Sequence, residues 1–260
     1  MELEGKVALI TGAGSGLGAA AALRLAENGA DVALVSRSKD ELDAVAEKVR
    51  ARGRQALVVP AAVQEEAAMR EVFGKLDEQF GRLDILFANA GVNGTWAPIE
   101  ELTVEEWDET LAINLRGTFL SLKHAVPLMK KAGGGSAIIT ASINGTRTFT
   151  TAGASAYASS KAAQLAFGQM AALELARHRI RVNVICPGSI ESQIDDNTDK
   201  RNVEAAKPPA DVPAGAVPLT GDEPGTSEDV ADLVVFLASD RSRHITGTPI
   251  WIDGGQSLLV

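Results

Sequence analysis

The sequence predicts an α/β fold: a doubly wound sheet of about seven parallel strands with helices on both faces. Three observations predict it. Short apolar, often β-branched runs alternate along the chain with longer stretches of helical periodicity. The strand candidates are apolar at successive positions, as a sheet covered on both faces requires. The first of them runs directly into a glycine-rich turn and a helix. No short repeat or linker divides the 260 residues, so one domain spanning 1–260 is expected.

The elements follow in order. KVALIT (6–11) reads as a strand and GLGAAAALRLAEN (16–28) as a helix ended by Gly29. DVALVSR (31–37) is the next strand, followed by the amphipathic helix KDELDAVAEKVRARG (39–53), also stopped by glycine. Then come QALVVP (55–60), a helix over about 64–80, and LDILFAN (83–89). A long helical region runs from about 103 to 131 and gives way to the strand SAIITAS (136–142). A helix over about 154–177, the strand IRVNVICP (180–187), a helix over about 227–239 and the strand PIWID (249–253) complete the series. Between 189 and 226 no strand is evident, and Pro208, Pro209, Pro213, Pro218 and Pro224 interrupt any helix. An irregular stretch this long reads as a lid over a substrate site.

Composition excludes several classes. A net charge of −9 is wrong for a general nucleic-acid binder and for docking on an anionic membrane. No run of about 18 apolar residues is present to span a bilayer. The stretch MELEGKVALITGAG has no basic segment leading into an apolar one, so no signal peptide is expected and the expected compartment is the cytoplasm. The single cysteine, Cys186, cannot form an internal disulfide and lies in an apolar strand, where it reads as an inert core thiol. His124, His178 and His244 share no metal-ligand spacing, and no metal is expected.

The turn after the first strand is TGAGSGLG, from Thr11 through Gly12, Ser15, Gly16 and Leu17 to Gly18. Residues without Cβ let the backbone approach a pyrophosphate, and the following helix offers free N–H groups and a favourable dipole. A glycine pattern alone is weak evidence, but its place between strand and helix is the context that dinucleotide binding demands. At the end of the second strand, where a carboxylate would hold the ribose hydroxyls of NAD, stand Ser36 and Arg37. A guanidinium there can pair with a 2′-phosphate, and no carboxylate repels it. NADP(H) is therefore the expected cofactor, with NAD(H) the alternative.

The only tyrosine, Tyr157, stands four residues before Lys161 in SAYASSKAAQLAFGQ, so the two share a helix face. A free tyrosine titrates near pH ~10, and a neighbouring cation favours the phenolate. The pair reads either as surface decoration or as a tuned proton donor.

With these residues in place the sequence resembles the short-chain dehydrogenases/reductases over nearly its whole length. TGAGSGLG is similar to that family's cofactor loop, ANAG (88–91) to its motif after the fourth strand, and Asn114 in INL to its helix asparagine. Ser142 in TASINGT, Tyr157 with Lys161, and PGSI (187–190) complete the set. The resemblance implies a Rossmann-type fold and an oxidoreductase that moves a hydride between the nicotinamide and a carbonyl or secondary alcohol. It implies Tyr157 as general acid/base, Ser142 polarising the substrate oxygen, Lys161 on the nicotinamide ribose, and Asn114 holding a water that links Lys161 to solvent. It places Asn89, Ala90 and Gly91 along the adenosine side, with Asn89 fixing the central strands, and Pro187, Gly188 and Ile190 by the carboxamide. Ser192 falls where a hydroxyl contacts the cofactor. One departure is Ala62 with Val63, where the family usually carries an aspartate for the adenine amino group; only the Val63 backbone could accept that bond.

A noncatalytic dinucleotide-binding redox sensor on the same fold is the alternative from another class, and it has no need of Asn114, Ser142, Tyr157 and Lys161 together. A third reading is an acyl-carrier thioester substrate, for which RHRIR (177–181) could supply a basic patch. The expected pocket walls are Val92 to Pro98 with Trp96, INGTRTF (143–149) with Arg147 and Phe149, and the lid. Arg147 could attract an anion. The resemblance also implies a homotetramer or dimer, with the helices near 103–131 and 154–177 as interfaces.

Overall fold

The computed structural model describes residues 1–191, 198–209, 216–221 and 223–259. Among them the strands are β1 (Val7–Thr11), β2 (Asp31–Ser36), β3 (Ala56–Pro60), β4 (Ile85–Ala88), β5 (Gly94–Trp96), β6 (Gly135–Thr140), β7 (Ile180–Pro187), β8 (Thr198–Lys200) and β9 (Pro249–Ile252). Seven of these pair in parallel in the order β3-β2-β1-β4-β6-β7-β9, and β5 pairs with β8 apart from them. The helices are α1 (Gly16–Glu27), α2 (Lys39–Arg50), α3 (Glu66–Phe80), α4 (Val104–Leu111), α5 (Gly117–Lys131), α6 (Ser155–Leu175) and α7 (Ser227–Ala238).

The expected sheet is thus present, and the side-chain period of two explains why its strands are apolar throughout. In β1, Ala8 and Ile10 enter the core shared with α1, α2 and α7, while Val7 and Leu9 enter the core shared with α3, α5 and α6. In β1 neither face meets water. The order reverses between β1 and β4, so connections leave in opposite directions there and a crevice opens at the carboxyl ends of the strands.

Two expectations change. The helical region near 103–131 is one rod in which a π turn, Ala112–Arg116, joins α4 to α5, with Asn114 inside it. Periodicity does not distinguish a π turn from an α turn here, since five residues are too few to set a period of their own. The stretch 189–226, which showed no strand, contributes β8; a three-residue strand is too short to be read from propensity. Isolated pairing of Ile190 with Gly225 also brings its two ends together.

Candidate active site

A cleft of about 800 Å³ lies along the carboxyl ends of the central strands. Of the residues expected to bind a cofactor, Gly12, Ser15, Gly16, Leu17, Ser36, Arg37, Val63, Asn89, Ala90, Gly91, Tyr157, Lys161, Pro187, Gly188 and Ile190 line it, together with Ser142. Ser192 lies outside the described residues. Gly18 and Asn114 are not at the surface of the cleft but support it.

The glycine loop fits a dinucleotide by what it leaves out. A Cβ at Gly18 would stand 2.0 Å from the Gly12 carbonyl oxygen, so α1 starts hard against the turn. Ser15, the N-cap of α1, makes no side-chain capping bond, so the first N–H groups of the helix remain for an anion. Behind the loop, Thr11 Oγ1 accepts from the backbone N–H groups of Asn89 (3.0 Å) and Ala90 (3.1 Å). Asn89 Nδ2 donates to the Thr11 carbonyl at 3.2 Å, and Thr140 Oγ1 donates to Asn89 Oδ1 at 3.2 Å. One asparagine therefore ties β1, β4 and β6, as the resemblance implied.

At the other end of the cleft the polar groups are buried. Lys161, 2 % exposed, donates to the Thr140 carbonyl at 2.9 Å and lies 5.5 Å from the centre of the Tyr157 ring. Burial lowers its pKa from 10.5 to about 8, with the neighbouring Cys186 opposing the shift. Cys186 is fully buried and burial raises its thiol to about 11, which makes it the inert core group expected. Ser142 Oγ accepts from the Asn144 N–H at 3.1 Å, and its own hydrogen has no acceptor among the described residues.

Asn114 is held almost entirely by protein. Its Oδ1 accepts from the Val92 N–H (2.8 Å), and its Nδ2 donates to the Val92 carbonyl (2.9 Å) and to Ser160 Oγ (3.0 Å). Its carbonyl accepts from Thr118 Oγ1 (2.8 Å) and Gln164 Nε2 (2.9 Å). The water link expected of Asn114 is thus left to the remaining lone pair of Oδ1. That atom and Lys161 Nζ face each other across Gly91, at 3.2 and 3.4 Å from where a Cβ would stand.

The structure corrects three expectations. A carboxylate does stand at the ribose end: Glu41, on the first turn of α2, lines the cleft over Gly14. It lies four residues beyond Arg37, and only the turn into α2 brings it back to the glycine loop. Arg147 is not a loose loop cation: it is exposed, but its guanidinium stacks 3.6 Å from the centre of the Trp251 ring and its Nη1 approaches Ser257 Oγ at 3.4 Å, which fixes its position. The basic stretch 177–181 lies at the amino end of β7, at the far end of the sheet from the cleft, roughly 25 Å away for a strand of this length. Arg181 there donates to the Leu237 carbonyl at 2.7 Å.

Besides Glu41, reading the sequence missed Gln64, which lines the cleft beside Val63, and Thr140, which receives Lys161. Glutamine two residues after Ala62 was a legible signal for a substitute polar group. Among the described residues no three His, Cys, Asp or Glu side chains could hold a metal, and no helix is long and apolar enough to cross a membrane.

The chain matches a family model described as enoyl-(acyl carrier protein) reductase over residues 12–257. It is similar to a crystal structure of a 3-ketoacyl-ACP reductase from Sinorhizobium meliloti 1021, at 54% identity and TM-score 0.94, covering 98% of this chain and 100% of that one. A short-chain dehydrogenase from Burkholderia cenocepacia J2315 in complex with NADP is 35% identical, with TM-score 0.85 and 98% of each chain covered. A 3-ketoacyl-(acyl-carrier-protein) reductase from Brucella melitensis complexed with NADH is 30% identical, with TM-score 0.86, covering 98% of this chain and 99% of that one. The nicotinamide dinucleotides bound by these relatives and the glycine cradle of this chain agree, and the protein belongs to the short-chain dehydrogenase/reductase family of oxidoreductases.

Proposed function

We propose that the protein interconverts a ketone or aldehyde and the corresponding alcohol with NADP(H), using Tyr157 as general acid/base. The observation that carries this reading is the convergence of Tyr157, Ser142 and a buried Lys161 on the cleft that begins at the glycine loop. When bound, a nicotinamide would supply or accept the hydride. Ser142 donates its uncommitted hydrogen to the substrate oxygen, and Tyr157 delivers the proton to that oxygen in reduction or removes it in oxidation. Lys161, cationic at neutral pH even with its lowered pKa, favours the phenolate and holds the nicotinamide ribose. A water between Asn114 Oδ1 and Lys161 Nζ completes the path by which the proton is replaced.

At the adenosine end, the loop amides hold the pyrophosphate and Arg37 pairs with a 2′-phosphate. The Val63 carbonyl and the Gln64 amide take the adenine in place of the missing aspartate. The substrate is a small carbonyl compound. A carrier-bound thioester, as the name of the Sinorhizobium relative would suggest, is the second reading, although the basic patch at 177–181 cannot serve the cleft. The segment 189–226 forms the substrate lid of a single domain. Exposed Phe119 on α5 and Met170 and Leu173 on α6 support a homodimer or tetramer through these helices.

The test is NADPH and NADH oxidation across a panel of ketones, aldehydes and 3-ketoacyl thioesters, with Tyr157→Phe as the blank. Turnover that depends on Tyr157 is expected. Dinucleotide binding without turnover on any substrate would favour the noncatalytic sensor instead.

A further inference from the structure

Among the described residues lining the cleft, only Arg37, Glu41 and Lys161 are charged, and Lys161 belongs to the nicotinamide end. The ribose end is therefore balanced between one cation and one anion. The glycine loop, Gly12 to Gly18, contributes no charge of its own. Among the described residues neither Arg37 nor Glu41 enters a salt bridge, with the other or with any third group. Both charges are exposed and uncommitted at the mouth of one site.

The position of Glu41 is set by α2. Ser38 caps that helix by accepting from the Glu41 N–H, which fixes Glu41 in the first turn, where the dipole favours its charge. From there the side chain folds over the glycine loop. A Cβ at Gly14 would stand 2.6 Å from Glu41 Oε2 and 3.2 Å from Ser36 Oγ, so a carboxylate and a hydroxyl flank the same small space. The absence of a side chain at residue 14 is what lets the carboxylate lie there.

We propose that Glu41 determines cofactor selectivity by opposing Arg37. This rests on the dinucleotide reading above and deepens it. The carboxylate accepts from a ribose 2′-hydroxyl and repels a 2′-phosphate, while Arg37 attracts the phosphate and is indifferent to the hydroxyl. The two together give a site that takes both NADP(H) and NAD(H), with Arg37 tipping the balance.

The test is direct binding of NADPH and NADH by nucleotide fluorescence, on wild type, Glu41→Gln and Glu41→Asp, at low and high salt. Glu41→Gln should tighten NADPH by about tenfold and weaken NADH by a few fold, with Glu41→Asp between it and wild type. The change in NADPH affinity should shrink as salt rises, because the charges are exposed. A purely structural role for Glu41 would move both affinities by the same factor, independent of salt, and would overturn the inference. So would an unchanged ratio in a protein that binds both nucleotides. Wild type that binds neither would overturn the dinucleotide reading itself, and the two failures are thus distinct.

Discussion

At the β1–β3 end of the cleft the charged groups are two exposed side chains, Arg37 and Glu41, which enter no salt bridge among the described residues. At the β4–β7 end the side chains are buried and held by others: Lys161 by Thr140 and, behind the cleft, Asn114 by Val92, Ser160 and Gln164. The first end lies in high dielectric, where a charge acts weakly and a substitution retunes preference without disturbing the fold. The second lies where burial alone moves Lys161 to about 8, and where removing one partner strands another. The two ends of one cleft are therefore built from physically different material.

The largest break of this contrast is at the buried end. Tyr157→Phe should lower turnover by about 10³-fold while leaving NADPH affinity nearly unchanged, since it removes only the proton donor. Steady-state kinetics with a binding titration checks both halves, and full retained activity would dismiss Tyr157 as the acid.

Next in size is the exposed end. Arg37→Asp should swing the NADPH-to-NADH affinity ratio by about 10²-fold, replacing an attraction to the 2′-phosphate with a repulsion. An unmoved ratio would show that Arg37 does not meet that group.

Gly18→Ala sharpens the comparison by asking whether the exposed end is rigid. Its methyl would press on the Gly12 carbonyl from 2.0 Å, and a loss of about 2 kcal/mol in stability is expected. Thermal melts with and without NADPH measure it; an unchanged melting temperature would mean the loop can yield.

The smallest effect is a pH slope. Lys161 titrates at about 8 when folded and near 10.5 when unfolded. Between those values the unfolded chain binds a proton that the folded protein has released, so stability rises with pH. Cys186, raised from 9.0 to about 11, contributes the opposite slope only above its unfolded value. From pH 8 to 9 wild type should therefore gain about 1 kcal/mol relative to Lys161→Met. Denaturation of both proteins at the two pH values checks this, and parallel behaviour would mean that Lys161 is better solvated than its burial indicates.

The seven strands of the main sheet were legible because a strand buried on both faces needs a continuous apolar run, which is a local property of sequence. The glycine loop was legible for a similar reason: its turn and helix start are consecutive residues. Tyr157 and Lys161 share a face by helical spacing alone, and Cys186 was recognisable as a core thiol from its strand. The resemblance added Ser142, Asn114 and Asn89, which only a folded chain brings to one place. What was not legible depends on distance in space. β5 and β8 are three residues each and exist because they pair with one another across roughly a hundred positions. The π turn at Asn114 is fixed by the buried bonds around it, and periodicity carries no trace of it. Arg147 reads in sequence as a loose loop cation, and only the fold places Trp251, far along the chain, beneath it.

By itself, then, the sequence determined the layered sheet, the glycine turn and the phenol–ammonium pair, because each follows from backbone periodicity or from the conformational freedom of neighbouring residues. Tertiary structure alone decided which charges share the cleft. It turned Glu41 back over Gly14 beside Arg37, and it placed 177–181 at the far end of the sheet, because the crevice opens only at the carboxyl ends of parallel strands. Burial of Lys161, and with it the proton affinity at the nicotinamide end, likewise required α6 to pack against β6, since desolvation is a property of everything that surrounds a group.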